Sequence, residues 1–426
     1  MGVNPGAEIE LLLEKPASGG RMIARHEGEV VLVAGGIPGE RVLARITRAE
    51  KRVAFAEVVS VLVRSEDRKD ATSDPACGGC LYSHIAYPRQ VQLKAQIIED
   101  AFSRIGKIPL ADRVIVDFGS DRGYRMKARF HVSVGRAGFY REGTHQLCDP
   151  RLTGQLTEAS LDAVQSFISA LSAQDVVVTS VELSENIAAD QRAMHVEVTP
   201  CGSLERALGE AIVHSPLRGA TARSSDGVTA AAGDPVITDA IALLTGSRAN
   251  GGILGRHPES FFQGNRFMIT GLVSAVMDGV LPGRILDLYA GVGLFAVSLA
   301  SAERGQVTAV EGDPVSGGDL DRNARAFGDR VRVSRGSVEA FLARTRAEAP
   351  DTLIVDPPRT GLSSEATDSI ARSRAKRVVY VSCDPPTMAR DARRLLDGGY
   401  RLLSLGGFDL FPNTPHVESL AVFELR

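Results

Sequence analysis

From residue 283 onward, short continuous apolar runs alternate along the chain with longer stretches whose hydrophobic residues have helical spacing. The runs RILDLY, QVTAVE, DTLIVD and RVVYVS each lead into polar residues or glycine, and helical stretches separate them. Strands buried on both faces of a parallel sheet have this continuous apolar pattern, and their connections are usually helices. The pattern therefore predicts a Rossmann-like α/β domain with a doubly wound, mostly parallel sheet.

The preceding residues show two other patterns. In residues 1–66, EGEVVLVAG, RVLARITR and FAEVVSVLV are short strands around the turn GIPGE, a pattern typical of a small antiparallel β-barrel. Residues 67–250 mix strands with Ala/Ser-rich helices, which predicts a central α+β domain. SRANGGILG resembles a linker, so we place the last domain at residues 251–426. A helical pattern at about 89–106 is expected to pack on that last domain.

Composition narrows the class of protein only slightly. The 426 residues are 44% hydrophobic and 24% charged, with a net charge of −3. No apolar stretch has membrane-spanning length, and the acidic start MGVNPGAEIELLLEK lacks a basic leader. Five cysteines are an odd and sparse set, which favours reduced thiols over a secreted disulfide framework. We therefore expect a cytoplasmic protein with no membrane partner.

A glycine loop follows the first of the four apolar runs. In ILDLYAGVGLFAVSLA, a strand leads into Gly291 and Gly293 and then into a helix, so the backbone can approach a ligand at the helix N-terminus. Glu311 ends the next strand, where a carboxylate can accept hydrogen bonds from ribose hydroxyls. This spacing predicts an adenosine-bearing cofactor. It leaves NAD and S-adenosylmethionine both open.

Three further groups follow strands near the same predicted edge. Asp356 ends DTLIVD before two prolines that stiffen its loop, and Cys383 ends the next strand. A cysteine at a strand end in a ligand crevice, rather than within a strand, favours a nucleophile. His416 and Glu418 precede a final apolar strand, and either is a candidate general base.

A basic stretch lies in the central region. In GYRMKARFHV, residues Arg125, Lys127 and Arg129 alternate with other residues, so they would share one face of a strand. Such a face either binds a polyanion or is simply solvated.

The motifs FFQGN (261–265), DLYAGVGLF, DPPRTGL, SCDPPTMARD and DLFPNTPHVE, in this order, resemble the class I S-adenosylmethionine-dependent RNA (uracil-5-)-methyltransferase family. That family forms 5-methyluridine. The barrel resembles the RNA-binding TRAM domain, and GYRMKARFHV is similar to the family's RNA-contacting strand. The resemblance implies Cys383 as nucleophile and Glu418 as base. It also implies which residues bind the cofactor and the target base. They are Gln263, Tyr289, Gly291 of the glycine loop, Glu311 and Asp356.

The implied chemistry explains these residue types. Uracil C5 accepts a methyl group only after a thiolate has added to C6, which makes C5 nucleophilic. We expect a covalent Cys383–C6 adduct, removal of the C5 proton by Glu418, and a uridine flipped out of its RNA. The barrel favours ribosomal RNA over tRNA as the substrate. No obligate protein partner is indicated.

Two positions depart from the family pattern. Many members bind an iron–sulfur cluster through four cysteines, and Cys77, Cys80 and Cys148 match three of them, whereas Ala71 occupies the first position. Three alternatives stay open: a cluster whose fourth ligand is Asp70, Asp74 or solvent, a labile cluster, and no cluster. Cys201 matches nothing and is expected to be structural.

The second departure is next to the predicted nucleophile. Asp384 replaces the usual asparagine, and its charge would raise the pKa of Cys383 unless the side chain points away or is paired.

Three rival functions remain. An NAD-linked dehydrogenase would leave DPPR and SCDPPT unexplained. A cytosine-5 RNA methyltransferase commonly has a second cysteine in the Asp356 loop, and this loop has none. A non-catalytic RNA-binding protein would be indifferent to Cys383→Ala. We rank uracil methylation ahead of all three.

Overall fold

The computed structural model describes residues 4–71, 74–249, 251–344 and 349–426. Its N-terminal part is a six-stranded sheet in the order β1-β5-β6-β4-β3-β2. Alternate residues are buried along these strands, as in β5, which gives the sheet an apolar inner face. The neighbours are antiparallel except β4 and β6, which run parallel. The strands are β1 (Glu8–Leu12), β2 (Lys15–Pro16), β3 (Met22–His26), β4 (Glu29–Ala34), β5 (Arg41–Ala49) and β6 (Val53–Val63).

A helix connects this sheet to the C-terminal part of the chain. Helix α1 (Tyr87–Asp100) has proline in its first turn and continues into a π-helical turn, Ala101–Ile105. Its Leu93 packs in the core of the N-terminal sheet, whereas Ile98 packs in the core of the C-terminal sheet. Strand β7 (Ile115–Asp117) then joins the edge of the C-terminal sheet. Residues 87–117 therefore share their packing with both neighbours.

The central part is a seven-stranded sheet in the order β10-β9-β8-β11-β12-β13-β14, with two helices packed on it. A two-stranded hairpin and a short helix follow. Residue 250, where we place the end of the central domain, lies outside the described residues. The elements are β8 (Lys127–Ser133), β9 (Arg136–Tyr140), β10 (Leu147–Cys148), α2 (Glu158–Ser172), β11 (Val178–Glu185), β12 (Arg192–Val198), α3 (Leu204–Val213), β13 (Gly219–Ser224), β14 (Thr229–Gly233), β15 (Ile237–Ala240), α4 (Ile241–Leu244) and β16 (Ile253–Arg256).

The C-terminal part is an eight-stranded sheet in the order β19-β18-β17-β20-β21-β23-β22-β7. Strands β17 to β21 are parallel, and β23 lies antiparallel between β21 and β22. The chain order reverses direction between β17 and β20, which confirms the predicted doubly wound sheet. The elements are α5 (Ile269–Gly279), β17 (Gly283–Leu288), α6 (Leu294–Ser301), β18 (Gly305–Glu311), α7 (Pro314–Ala324), β19 (Val331–Arg335), α8 (Val338–Arg344), β20 (Thr352–Val355), α9 (Ser364–Ser373), β21 (Arg377–Ser382), α10 (Pro385–Asp397), β22 (Tyr400–Phe408) and β23 (Glu418–Leu425).

Within the described ranges, we find no helix that is both long enough and apolar enough to span a bilayer.

Candidate active site

The sheet order brings the predicted site residues to one edge. Parallel strands end at the same edge, so the residues that follow β17, β20 and β21 lie side by side. Strand β23 runs the other way, and therefore its first residue, Glu418, lies at this edge too. Its register pairs Ser382 with Ser419, so Cys383 and Glu418 are the next positions opposite each other.

The glycine loop leaves room for a ligand beside Glu311. Gly291 and Gly293 have φ of +56° and +91°, and a Cβ on Gly291 would meet nothing within 4 Å. The Gly291 amide donates to Glu311 Oε2 at 2.7 Å, and the Asp313 amide donates to Oε1 at 2.6 Å. Tyr289, also at positive φ (+61°), is half-buried, and its hydroxyl lies 3.5 Å from Glu339 Oε1. This open, acid-flanked loop fits the adenosine part of a cofactor.

Two carboxylates lie beneath this loop. Burial raises the pKa of Asp356 to about 7, although Gln263 Nε2 donates to its Oδ2 at 3.3 Å. Burial and the nearby Asp356 charge raise the pKa of Asp287 to about 8. Among the described residues, no donor is in good hydrogen-bond geometry with either Asp287 oxygen. Sequence reasoning missed Asp287, although its position in DLYAGVG, four residues before Gly291, is a usable signal.

The environment of Cys383 opposes ionisation of its thiol. Burial, and then the charge of Glu418, raise the pKa of Cys383 to about 11. The guanidinium of Arg359, from the DPPR stretch, acts in the opposite direction by hydrogen bonding and by its charge. Arg359 is therefore a second site residue that sequence reasoning missed, and its signal is its place in the loop that follows Asp356.

Glu418 is the better placed of the two candidate bases. It is 2% exposed, and burial together with the Asp356 charge raises its pKa well above the usual range. Arg359 partly offsets this increase. Burial lowers the pKa of His416 to about 4, so that its imidazole is neutral at pH 7. The His416 ring meets the Phe411 ring edge-on at 6.2 Å.

Asp384 is paired with a helix end. Its side chain is the N-cap of α10 and accepts a hydrogen bond from the Thr387 amide at 2.9 Å. The main causes of the shift in the Cys383 pKa are burial and the charges of Glu418, Arg359 and Asp356. The Asp384 carboxylate, although next to Cys383 in sequence, therefore points into the first turn of α10.

The three cations of the predicted basic stretch share one face, and only part of that face is open to solvent. Arg125 donates to Gln155 Oε1 at 2.6 Å, and Lys127 Nζ donates to the carbonyl oxygens of Pro258 and Ser260. Only Arg129 is largely exposed, with 59% of its side chain accessible. The three cations therefore share one face, as the strand period predicts, but Arg125 and Lys127 bind polar groups of the protein itself instead of facing solvent.

The cysteine cluster does not fit an iron–sulfur cluster. Cys77 and Cys148 form a disulfide, so the expectation of reduced thiols is wrong for this pair. Cys80 is buried and lies outside the disulfide, and the position of the missing ligand, Ala71, is exposed. A [4Fe–4S] cluster needs four thiolates, and this site offers at most one outside the disulfide. In the described part of the chain, no three His, Cys, Asp or Glu residues are grouped to hold a metal ion.

The fifth cysteine lies away from this group. Cys201 is half-buried and packs against the core of the central sheet, in keeping with a structural role.

Comparisons with known proteins agree with this geometry. Residues 2–59 match the TRAM domain, and residues 254–425 match the family described as tRNA (Uracil-5-)-methyltransferase. An uncharacterized RNA methyltransferase of Streptomyces coelicolor is 32% identical over 445 residues, which cover 98% of this chain and 93% of that protein. The 23S rRNA (uracil(1939)-C(5))-methyltransferase RlmD of Alkalilimnicola ehrlichii is 32% identical, covering 99% of this chain and 97% of that protein.

A solved structure has the same fold. The Pyrococcus abyssi tRNA (uracil-54, C5)-methyltransferase, in complex with S-adenosyl-L-homocysteine, aligns with a TM-score of 0.75 at 22% identity. The alignment covers 97% of this chain and 99% of that one. The family predicted from the sequence motifs is thereby confirmed: the chain belongs to the S-adenosylmethionine-dependent RNA (uracil-5-)-methyltransferase family.

Proposed function

We propose that this chain transfers a methyl group from S-adenosylmethionine to C5 of a uridine in ribosomal RNA, through a covalent adduct between Cys383 and uracil C6. The observation that carries the proposal is the register of β21 and β23, which sets Cys383 opposite Glu418 at the edge that holds the glycine loop. A planar base between these two side chains would have a nucleophile and a base within reach.

The chain's own groups account for each step. Cys383 Sγ adds to C6 as a thiolate, and the resulting charge spreads over C5 and O4. S-adenosylmethionine, when bound, supplies the methyl group as a sulfonium. Glu418 then accepts the C5 proton, the electron pair of the C5–H bond forms the C5=C6 double bond, and the C6–Sγ bond breaks to return the thiolate.

Cofactor binding follows from the glycine loop and its neighbours. Glu311 would accept hydrogen bonds from the ribose hydroxyls, and Gly291 would let the backbone approach the ligand closely. Gln263 and Asp356 already form a hydrogen-bonded pair at this edge, and with Tyr289 they would enclose the cofactor and the base.

The burial of the site requires an unstacked base. Glu418 is buried and Cys383 is half-buried, so neither can reach uracil C6 or C5 inside a stacked helix. The uridine would therefore be flipped out, with the N-terminal TRAM barrel adding RNA contacts. RlmD of Pseudomonas entomophila, named for uracil 1939 of 23S rRNA, is 32% identical over 98% of this chain, which supports ribosomal RNA.

The proposal includes no iron–sulfur cluster and no obligate protein partner. It places the reaction in the cytoplasm, where ribosomal RNA is available. Anaerobically purified, active protein should contain less iron and less sulfide than one cluster per chain would supply. Iron and sulfide analysis measures both.

The test uses RNA that carries 5-fluorouridine. Fluorine cannot leave C5 as a proton, so the adduct should persist on a denaturing gel. Large-subunit ribosomal RNA fragments and a tRNA set are each mixed with the protein and S-adenosylmethionine. We expect a shifted band with the ribosomal fragments that is lost in Cys383→Ala and retained in the control Cys201→Ala. A band with tRNA alone would overturn the substrate, and no band with either RNA despite measured cofactor binding would overturn the reaction.

A further inference from the structure

The segment between β22 and β23, residues 409–417, leads the chain directly to Glu418. All nine of its residues are described, and none lies in a helix or strand. Asp409 and Leu410 are nevertheless fully buried, and Asn413 is 8% exposed. Buried polar groups outside regular structure must find hydrogen-bond partners elsewhere in the protein. The partners of this segment therefore hold the stretch of chain that precedes Glu418, in addition to the pairing of β23 with β21 and β22.

Helix α1 holds the start of the segment through Lys94. The Lys94 ammonium donates to Asp409 Oδ1 at 2.5 Å and to the Phe411 carbonyl oxygen at 2.9 Å. Both charged side chains are fully buried. Asp409 in turn accepts a hydrogen bond from the Phe411 amide at 3.1 Å, which closes a tight turn around the ammonium.

One turn earlier on the same helix, Gln90 holds the middle of the segment. Its Nε2 donates to Asn413 Oδ1 at 2.9 Å, and the Asn413 amide donates to its Oε1 at 2.9 Å. The Asn413 carbonyl accepts from the Tyr82 amide at 2.8 Å. Asn413 has φ of +62°, a conformation that asparagine tolerates better than most residues.

These contacts specify position more than they add stability. A buried ion pair loses about as much solvation energy as it gains in attraction, so it is weak evidence for stability. The amide pair between Gln90 and Asn413 is two-way, and it therefore defines an orientation as well as a distance. Strand β23 begins five residues after Asn413, and its register with β21 sets Glu418 opposite Cys383.

We propose that Gln90 and Lys94 are positioning residues for proton removal, because they hold residues 409–417 so that Glu418 faces C5 of the methylated adduct. The inference rests on the proposed function. The step concerned is the last one: Glu418 gains the C5 proton, the C5=C6 bond forms, and the bond from C6 to Cys383 breaks. Addition of the thiolate and transfer of the methyl group come earlier and do not need Glu418.

The test compares Gln90→Met with Gln96→Met. Both variants make the same substitution on α1, but Gln96 is exposed. For Gln90→Met we expect turnover on ordinary uridine RNA to fall by about tenfold or more, while adduct formation on 5-fluorouridine RNA changes by less than about twofold. A covalent band should also accumulate on ordinary RNA, as it should for Glu418→Gln. Gln96→Met should behave as the unaltered protein.

A second variant covers the ion pair. Lys94→Met alone would leave Asp409 buried without its cation, so Lys94→Met is combined with Asp409→Asn, which removes both charges. In this double variant, as in Gln90→Met, turnover on ordinary uridine RNA should fall while adduct formation on 5-fluorouridine RNA stays nearly unchanged. Thermal unfolding of each variant reports whether it is folded.

The outcomes separate the two proposals. If the unaltered protein forms no Cys383-dependent band on 5-fluorouridine RNA, the proposed function fails. If that band forms and Glu418→Gln traps ordinary RNA, but Gln90→Met and the pair variant slow turnover and adduct formation equally, the residues only stabilise the fold. In that case the positioning role is wrong while the function stands.

Discussion

The thiol of Cys383 lies where burial and Glu418 oppose its ionisation, whereas Arg359 favours it. The raised pKa keeps the Cys383 thiol almost entirely protonated in the free protein, whereas the proposed addition to uracil C6 needs the thiolate. With a pKa of about 11, the thiolate fraction at pH 8 is about one part in a thousand. Reactivity should therefore depend steeply on pH.

Alkylation of Cys383 by iodoacetamide should follow this titration. We expect its rate to rise about tenfold per pH unit between pH 7 and 9 and to be rising still at pH 9.5, since the raised pKa keeps the thiol neutral there. Glu418→Gln should speed alkylation at pH 8, and Arg359→Gln should slow it. The measurement is mass spectrometry of the Cys383 peptide, with glutathione as the internal reference. A rate that levels off below pH 9 contradicts the prediction.

Asp384 should be replaceable by asparagine. Either side chain can accept the hydrogen bond from the Thr387 amide, so Asp384→Asn should change turnover by less than about twofold. Asp384→Ala removes the cap and should lower stability by about 1 kcal/mol. Initial rates and thermal unfolding of both variants check this. A many-fold gain in turnover with asparagine would show that the charge does hinder the thiolate.

The positions of Gly291, Asp356 and Cys383 were predictable from the sequence. Each follows an apolar run, and apolar runs that form neighbouring parallel strands end at the same edge of the sheet. Asp287 was missed because it lies inside β17, where the pattern leads one to expect an apolar side chain, and only its distance from the glycine loop signals it. The contacts that cover part of the basic face were not predictable either. Strand alternation gives the direction of Arg125 and Lys127, but their partners, such as Gln155 and Ser260, lie far away in sequence.

At the scale of elements, short and irregular pieces were the least predictable. Strand β7 has three residues, too few for a periodic pattern, and it joins its sheet beside β22, far away in sequence. The sequence pattern predicted helix α1. It did not indicate that the polar side chains of Gln90 and Lys94 lie on the buried face of this helix and bind another segment. Their partners come from residues 409–417, and only the folded chain brings them together.

The disulfide between Cys77 and Cys148 should stabilise the loop of residues 74–80 on the central sheet. It closes a loop with a sequence separation of 71 residues, and the chain-entropy argument assigns it about 4 kcal/mol. Reduction, or Cys77→Ser with Cys148→Ser, should therefore lower the apparent Tm in differential scanning calorimetry. Cys201→Ser is the control and should leave the response to reductant unchanged. An equal Tm with and without reductant would contradict the prediction.

At the scale of the whole molecule, the N-terminal barrel contacts residues 409–417, the segment that leads to Glu418. A Cβ built on Gly20 would come within 3.0 Å of the Pro415 ring, whereas one on the adjacent Gly19 would meet nothing within 4 Å. Pro415 is three residues before Glu418. The barrel therefore contacts the segment that precedes Glu418, besides any contact it makes with RNA.

Gly20→Ala and Gly19→Ala should separate these two roles of the barrel. Both glycines have positive φ, +91° and +87°, so each alanine should cost a similar strain of roughly 1–2 kcal/mol in local stability. Only Gly20→Ala should also displace Pro415, and we expect it to lower kcat severalfold while Gly19→Ala leaves kcat unchanged. Steady-state methylation of a ribosomal RNA fragment, with thermal unfolding of each variant, measures both effects. If the two variants lose activity equally, the barrel acts on the reaction through stability or RNA binding alone, and the contact with Pro415 has no role in placing Glu418.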